Sequence, residues 1–154
     1  MTCKGHTAYA DVSVIPLNGE RKLLLQIGNL VFVDSFQFLA TSLNSLVKEM
    51  RKSGINDFVH TMCHFGKNEA YFEKGCYPYD YMTDASKLDE TELPPKAEFY
   101  NRLNEEHIMD EQYERAKKIW VQHSMTSLRD WHHFYFTLDV LLLSDVFEKF
   151  CQLC

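Results

Sequence analysis

One acid stands in a strongly apolar run near the end of this 154-residue chain, Phe134-Tyr-Phe-Thr-Leu-Asp-Val-Leu-Leu-Leu143, four residues after a phenol. Helix positions four apart lie about 40° apart around the axis, so Tyr135 and Asp139 share a face and can act on one ligand. An ionised carboxylate among Leu138, Val140, Leu141, Leu142 and Leu143 is costly to desolvate unless a cation, hydrogen-bond donors or a metal compensates it. Asp139 therefore needs a partner. Two readings stay open: a helix whose surface stripe includes one acid, and a hard-metal ligand with a phenol positioned beside it.

Other groups with metal-binding residue types are weaker. His60, Cys63 and His64 lie close together, yet a fourth ligand would have to be invented. Cys151 and Cys154 form one C-x-x-C without a second pair at zinc-ribbon spacing, so they read as free thiols. With Cys3, Cys63 and Cys76 they make five scattered cysteines; no secretory signal and no bilayer-length apolar run accompany them. The expected setting is intracellular and reducing, without disulfides and without a membrane. The formal net charge of -6 is opposite to the basic footprint of most nucleic-acid binders. That argument weakens for an enzyme that grips phosphate through metal ions and stacks bases on aromatic rings, because such a site is itself acidic and aromatic.

The elements that would position these residues can be read in outline. Residues 12–16 read as a strand and Asn18-Gly19 as a turn. Residues 23–27 and 30–33 form a hairpin around Gly28-Asn29. Thr41 or Ser42 caps a helix within residues 41–53, carrying Leu43, Leu46, Val47 and Met50, which Ser53-Gly54 stops. Residues 54–94 lack periodicity and read as a long ordered loop. A helical insert spans 95–125, with helical character over 96–103 after Pro94-Pro95 and a helix opening at Asp110 that puts Tyr113, Ala116, Ile119 and Trp120 on one side. Thr126 or Ser127 caps the last and longest helix, 127–150. The sum is an α+β chain, mostly helical, with an N-terminal β-hairpin over 12–34, the size of one domain.

Three stretches together resemble the DNA polymerase type B family that includes the protein-primed polymerases of bacteriophages, linear plasmids and self-synthesising transposons. Gly28-Asn-Leu-Val-Phe-Val-Asp-Ser-Phe-Gln-Phe-Leu39 is similar to the family's segment between its second and third exonuclease motifs. Glu73-Lys-Gly-Cys-Tyr-Pro-Tyr-Asp-Tyr-Met82 and Leu88-Asp-Glu-Thr-Glu-Leu-Pro-Pro-Lys96 resemble the transposon branch. Tyr135-Phe-Thr-Leu-Asp139, with Val-Leu-Leu-Leu-Ser-Asp-Val-Phe147 after it, resembles the third exonuclease motif and its continuation.

The resemblance implies a single partial domain, 1–154, from the 3′ to 5′ proofreading region of a DNA-directed DNA polymerase, with part of a ribonuclease H-like fold. In such sites carboxylates hold two Mg²⁺ or Mn²⁺ ions that activate water, and a tyrosine orients the nucleophile. Asp139 maps to the last metal-binding carboxylate, Tyr135 to that tyrosine, and Lys74 to a lysine that phage relatives use near the scissile phosphate. Ser35 and Phe36 match the single-strand-binding motif, with Phe where the family has Leu. The implied partners are a single-stranded 3′ end, a primer-template and the remainder of the polymerase. The first motif, Asp-x-Glu, would lie upstream of Met1. Thr2-Cys-Lys-Gly-His-Thr7 resembles the second with both functional positions changed to Thr. The palm-domain motifs are also missing, so the expectation is a fragment inactive alone, binding no metal by itself, with possible self-association through exposed core. Two rivals remain: a non-catalytic module binding single-stranded DNA or a protein, with Phe36, Tyr77, Tyr79 and Tyr81 as stacking candidates, and an unrelated helical protein.

Overall fold

The computed structural model describes residues 12–16, 22–34, 37–102 and 105–153. It divides into two compact units, Met1–Thr41 and Ser42–Cys154. The first is a three-stranded antiparallel sheet in the order β1-β2-β3, from Val12–Pro16, Lys22–Ile27 and Leu30–Val33. The expected β2–β3 hairpin is present and has no bulge: Ile27 pairs with Leu30 across the two-residue turn, and Gly28 adopts φ 59°, a left-handed conformation that glycine enters without a Cβ penalty. The register of β1 against β2 shifts at Ile15/Pro16, where proline can donate no ladder hydrogen bond.

The second unit is helical: α1 (Leu43–Lys52), α2 (Val59–Phe65), α3 (Asp110–Gln122) and α4 (Leu128–Leu153). Together the described residues make a mostly helical α+β chain, and none of their helices is long and apolar enough to cross a membrane. Ser42 rather than Thr41 caps α1, its hydroxyl accepting from the Ser45 N–H at 3.2 Å. At α4 the Asp130 carboxylate reaches back to the N–H groups of Thr126 and Ser127 at 2.9 and 3.0 Å, satisfying donors that the first turn leaves free. The core forms around α4, whose Leu128, Trp131, Phe134, Tyr135, Leu138, Leu142 and Val146 are buried together with Phe58, Tyr71, Phe72 and Phe99. Each of these large side chains contributes about 1.5–3 kcal/mol of burial. The opposite face of α4 presents Phe136, Val140, Leu143 and Phe147, all exposed.

Two expectations are corrected. The region 54–94 is not a plain loop, because it contains α2 and 3₁₀ turns at Ile55–Asp57, Glu69–Tyr71 and Ala85–Asp89. Seven residues are too few to display a helical period, and the support for α2 comes from far along the chain. Its N-cap residue, Phe58, offers no side-chain acceptor. Instead Asp145, 1 % exposed on α4, accepts from the N–H of His60 at 2.7 Å, the N–H of Thr61 at 3.0 Å and the Thr61 hydroxyl at 2.6 Å. A carboxylate at a helix N-terminus satisfies orphan donors and meets the positive end of the helix dipole. The second correction concerns 96–103, where helix stops after one 3₁₀ turn, Lys96–Phe99, and Asn101 then pairs with Glu106 in an isolated antiparallel bridge.

Asp145→Ala should leave two α2 N–H groups and a buried hydroxyl unpaired and destabilise the second unit by about 2–4 kcal/mol. Urea denaturation followed by far-ultraviolet dichroism would measure it. A loss within about 0.5 kcal/mol, the range of an ordinary surface substitution, would remove Asp145 as the clamp on α2.

Candidate functional site

Asp139 lies on the same helix as Asp145, six residues earlier, and its surroundings differ. Asp139 is half-buried, and its Oδ1 is shielded from solvent without a hydrogen-bond partner among the described residues. Burial pushes its carboxyl above the usual carboxylate range. The charge of Lys74 and a side-chain hydrogen bond with Tyr135 pull it back only in part. Asp145 is thus saturated with donors, and Asp139 retains an oxygen with accepting capacity to spare.

Tyr135 is 3 % exposed and wedged between two elements. Its ring lies 4.9 Å from that of Tyr77. On another side the backbone of Gly75 comes so close that a Cβ there would stand 3.0 Å from Tyr135 Cδ2. The Tyr135 hydroxyl is 2.6 Å from that of Tyr79. Either hydroxyl of that pair can be the donor, and each phenol has one proton to give. Burial first, then the bond to Tyr79 and the charge of Asp139, raise the Tyr135 phenol well above its ordinary value. It stays protonated and works as a hydrogen-bond donor, not as a base.

Lys74 and Tyr135 line one cavity of about 380 Å³, together with Gly75, Cys76, Tyr77, Tyr79 and Glu106. Cys76 is no nucleophile there, since burial pushes its thiol up to about 11. The aromatic wall continues through Tyr77, whose hydroxyl is hydrogen-bonded to His132 Nδ1 at 2.7 Å, an imidazole whose pKa burial lowers. Tyr79 is 56 % exposed at the edge of this wall. Lys74 and Tyr135 thus line one cavity, and both act on Asp139, 65 residues beyond Lys74 in the sequence.

Ser35 and Phe36 lie outside the described residues, as do Thr2 and Thr7. Among the described residues no group of three or more His, Cys, Asp or Glu is arranged to hold a metal ion. Asp139 alone is the wrong donor set for two hard cations that want six or more oxygens each. His60 is engaged with Glu148 at 2.7 Å, and no metal reading attaches to it, to Cys63 or to His64. A second cavity, of about 480 Å³, is lined by His64, His123, His133 and Phe134. There Gln122 Nε2 donates to the Tyr71 hydroxyl at 2.8 Å, and that hydroxyl is hydrogen-bonded to His123 Nε2 at 2.9 Å, an imidazole whose pKa burial lowers.

The sequence reading missed Asp145, although the argument used for Asp139, an acid inside an apolar helical run, applies equally to Leu141-Leu-Leu-Ser-Asp-Val-Phe147. It also missed Tyr79 as partner of Tyr135, for which no local signal exists. Set against protein-family models, curated proteins and solved structures, the chain matches none of them.

Two predictions follow from this geometry. Because its pKa is raised on folding, Asp139 binds its proton more tightly in the folded chain, and its contribution to stability falls as pH rises from the ordinary carboxylate range through the folded value. Asp139→Asn should therefore stabilise the protein at about pH 7.5 and do so less at about pH 4.5. Urea titrations at both pH values test this, and an equal effect at the two would mean the charge is already compensated. Gly75→Ala drives a methyl into the Tyr135 ring and should cost about 1–3 kcal/mol. It should also shift the Tyr135 ring resonances, and unmoved resonances would mean that the ring does not pack on Gly75.

Proposed function

We propose that this chain is part of the 3′ to 5′ proofreading exonuclease region of a family B DNA-directed DNA polymerase of the protein-primed type, on a partial ribonuclease H-like fold. The observation that carries the reading is the state of Asp139. An acid desolvated on a helix, with one oxygen left without a partner, lowers stability and is retained where it serves a ligand. The phenol four residues before it and the Lys74 ammonium, both matched by the resemblance, act on that same carboxylate. The site has what one wall of a phosphodiester-cleaving centre requires: a carboxylate acceptor, a neutral hydroxyl donor able to orient water, and a cation for the phosphate.

The parent activity in this reading is DNA synthesis with removal of mismatched 3′ ends, and the partners are a single-stranded 3′ terminus, a primer-template and the rest of the polymerase. The exposed Phe136, Val140, Leu143 and Phe147 face fits a surface that further parts of such a protein would cover. With one carboxylate in place, this chain contributes binding and orientation and does not complete the chemistry. A second reading, a non-catalytic single-strand or protein interaction module, draws on the same aromatic wall, where Tyr79 is exposed for stacking.

Incubated with a 3′-labelled single strand and Mg²⁺ or Mn²⁺, the chain should give no Asp139-dependent shortening. Supplied in cis with an upstream segment bearing Asp-x-Glu and an aspartate at the second motif, it should cleave, and Asp139→Ala should abolish the cleavage. Tyr135→Phe should then slow cleavage by about 10²-fold or more while changing DNA affinity little. Failure of the completed protein to cleave, with binding intact, would favour the interaction module; the opposite pattern for Tyr135→Phe would remove its water-orienting role.

A further inference from the structure

Lys74 occupies a non-helical stretch, and a four-carbon stem on a loop does not by itself hold an ammonium at one point of a cavity wall. Its backbone is held from behind. Arg115, on α3, directs Nη1 to Glu73 Oε2 at 2.7 Å and Nη2 to the Lys74 carbonyl at 2.5 Å, so one planar guanidinium spans two consecutive residues. Glu73 is also bound by Arg51 of α1, which in turn reaches Glu69 at 3.2 Å. Immediately beyond, the Gly75 backbone packs against the Tyr135 ring and the Cys76 thiol lies 3.9 Å from the Gln112 carbonyl of α3. The side chain of Arg115 is 15 % exposed, and it is not among the residues lining the cavity shared by Lys74 and Tyr135.

We infer that Arg115 is a positioning residue for the DNA-handling site: its fork on the Glu73 carboxylate and the Lys74 carbonyl fixes the Lys74 ammonium where a phosphate of the strand is held. This rests on the reading of the cavity as a single-strand site and adds to it a residue outside the family's motifs. The fork matters as much as the charge. A lysine at 115 could keep the ion pair with Glu73 but could not also hold the neighbouring carbonyl in the same plane. Arg51 still holds Glu73 when Arg115 is changed, so the loss falls on the carbonyl and on the side chain of Lys74, not on the whole segment.

The test measures affinity of the full chain for a fluorescent oligothymidine by anisotropy, over a range of salt concentrations, for the unaltered protein, Lys74→Ala, Arg115→Gln, Arg115→Lys and the double variant Lys74→Ala/Arg115→Gln. One phosphate contact on a single strand carries a salt slope of about 0.7, which at 0.1 M salt amounts to about fivefold in affinity. Lys74→Ala should show that loss in both slope and affinity. Arg115→Gln and Arg115→Lys should each approach it, and the double variant should be no weaker than Lys74→Ala alone. Thermal melts identify any variant that fails to fold; Arg115→Lys, which keeps the Glu73 pair, then carries the comparison. If Arg115→Lys retains full affinity, or if Arg115→Gln weakens binding as much in the Lys74→Ala background as in the unaltered one, Arg115 acts as a cation of its own and the inference falls while the single-strand reading stands. No binding by the unaltered chain would overturn the single-strand reading and this inference with it.

Discussion

A carboxylate that a helix carries into apolar surroundings must be given donors or it weighs against the fold, and α4 carries two such acids with opposite outcomes. Asp145 is the more deeply buried, and three donors from α2 close on it. That arrangement lets a seven-residue helix with no cap of its own exist at all, and it ties residues 58–65 to the end of the chain. Asp139 lies about 120° around the same helix, by the 100° advance per residue. It receives a phenol and the field of one lysine, and Oδ1 has no partner among the described residues. The first acid is explained by what it holds together. The second holds no element in place within the described fold.

The surroundings of Asp139 are rigid where a ligand-handling wall needs rigidity. Tyr135 is fixed by a ring contact with Tyr77, by the bare backbone of Gly75 and by the Tyr79 hydroxyl. Contacts on several sides hold a ring in place, so its hydroxyl is positioned by packing. Its elevated pKa keeps it a donor throughout the physiological range. Lys74 stands on a non-helical stretch whose carbonyl is held by Arg115 from α3. The helical insert, which shares no motif with the site, thereby joins in its construction.

Several parts of this architecture were legible from local patterns because local interactions decide them. The Gly28-Asn29 hairpin follows from a glycine that accepts a positive φ, and α1 from a serine cap, an apolar stripe and a stop at Ser53-Gly54. The long helix follows from its unbroken run of helix-compatible residues, with the Ser127 and Asp130 pair at its start. The Y-x-x-x-D pair could be placed on one helical face by counting. What stayed hidden was α2, whose apolar period is too short to see and whose cap is 85 residues distant in sequence. The early stop of helix after Phe99 was hidden too, because Pro94-Pro95 announces a helix start without specifying its length.

The sequence by itself determined that an acid and a phenol share one face of an apolar helix, and that the acid would need a compensating partner. Spacing and hydrophobicity are properties of a single element, so no partner element was required to see them. Only the tertiary structure decided which acid was compensated and which was left short. It brought Lys74 and Gly75 against Tyr135, and it set the Arg115 fork behind Lys74. Those outcomes depend on hydrogen bonds and close contacts between residues far apart in the chain. Such pairings arise from the packing of α1, α2 and α3 with the stretch around Lys74 and α4, and no local pattern encodes them.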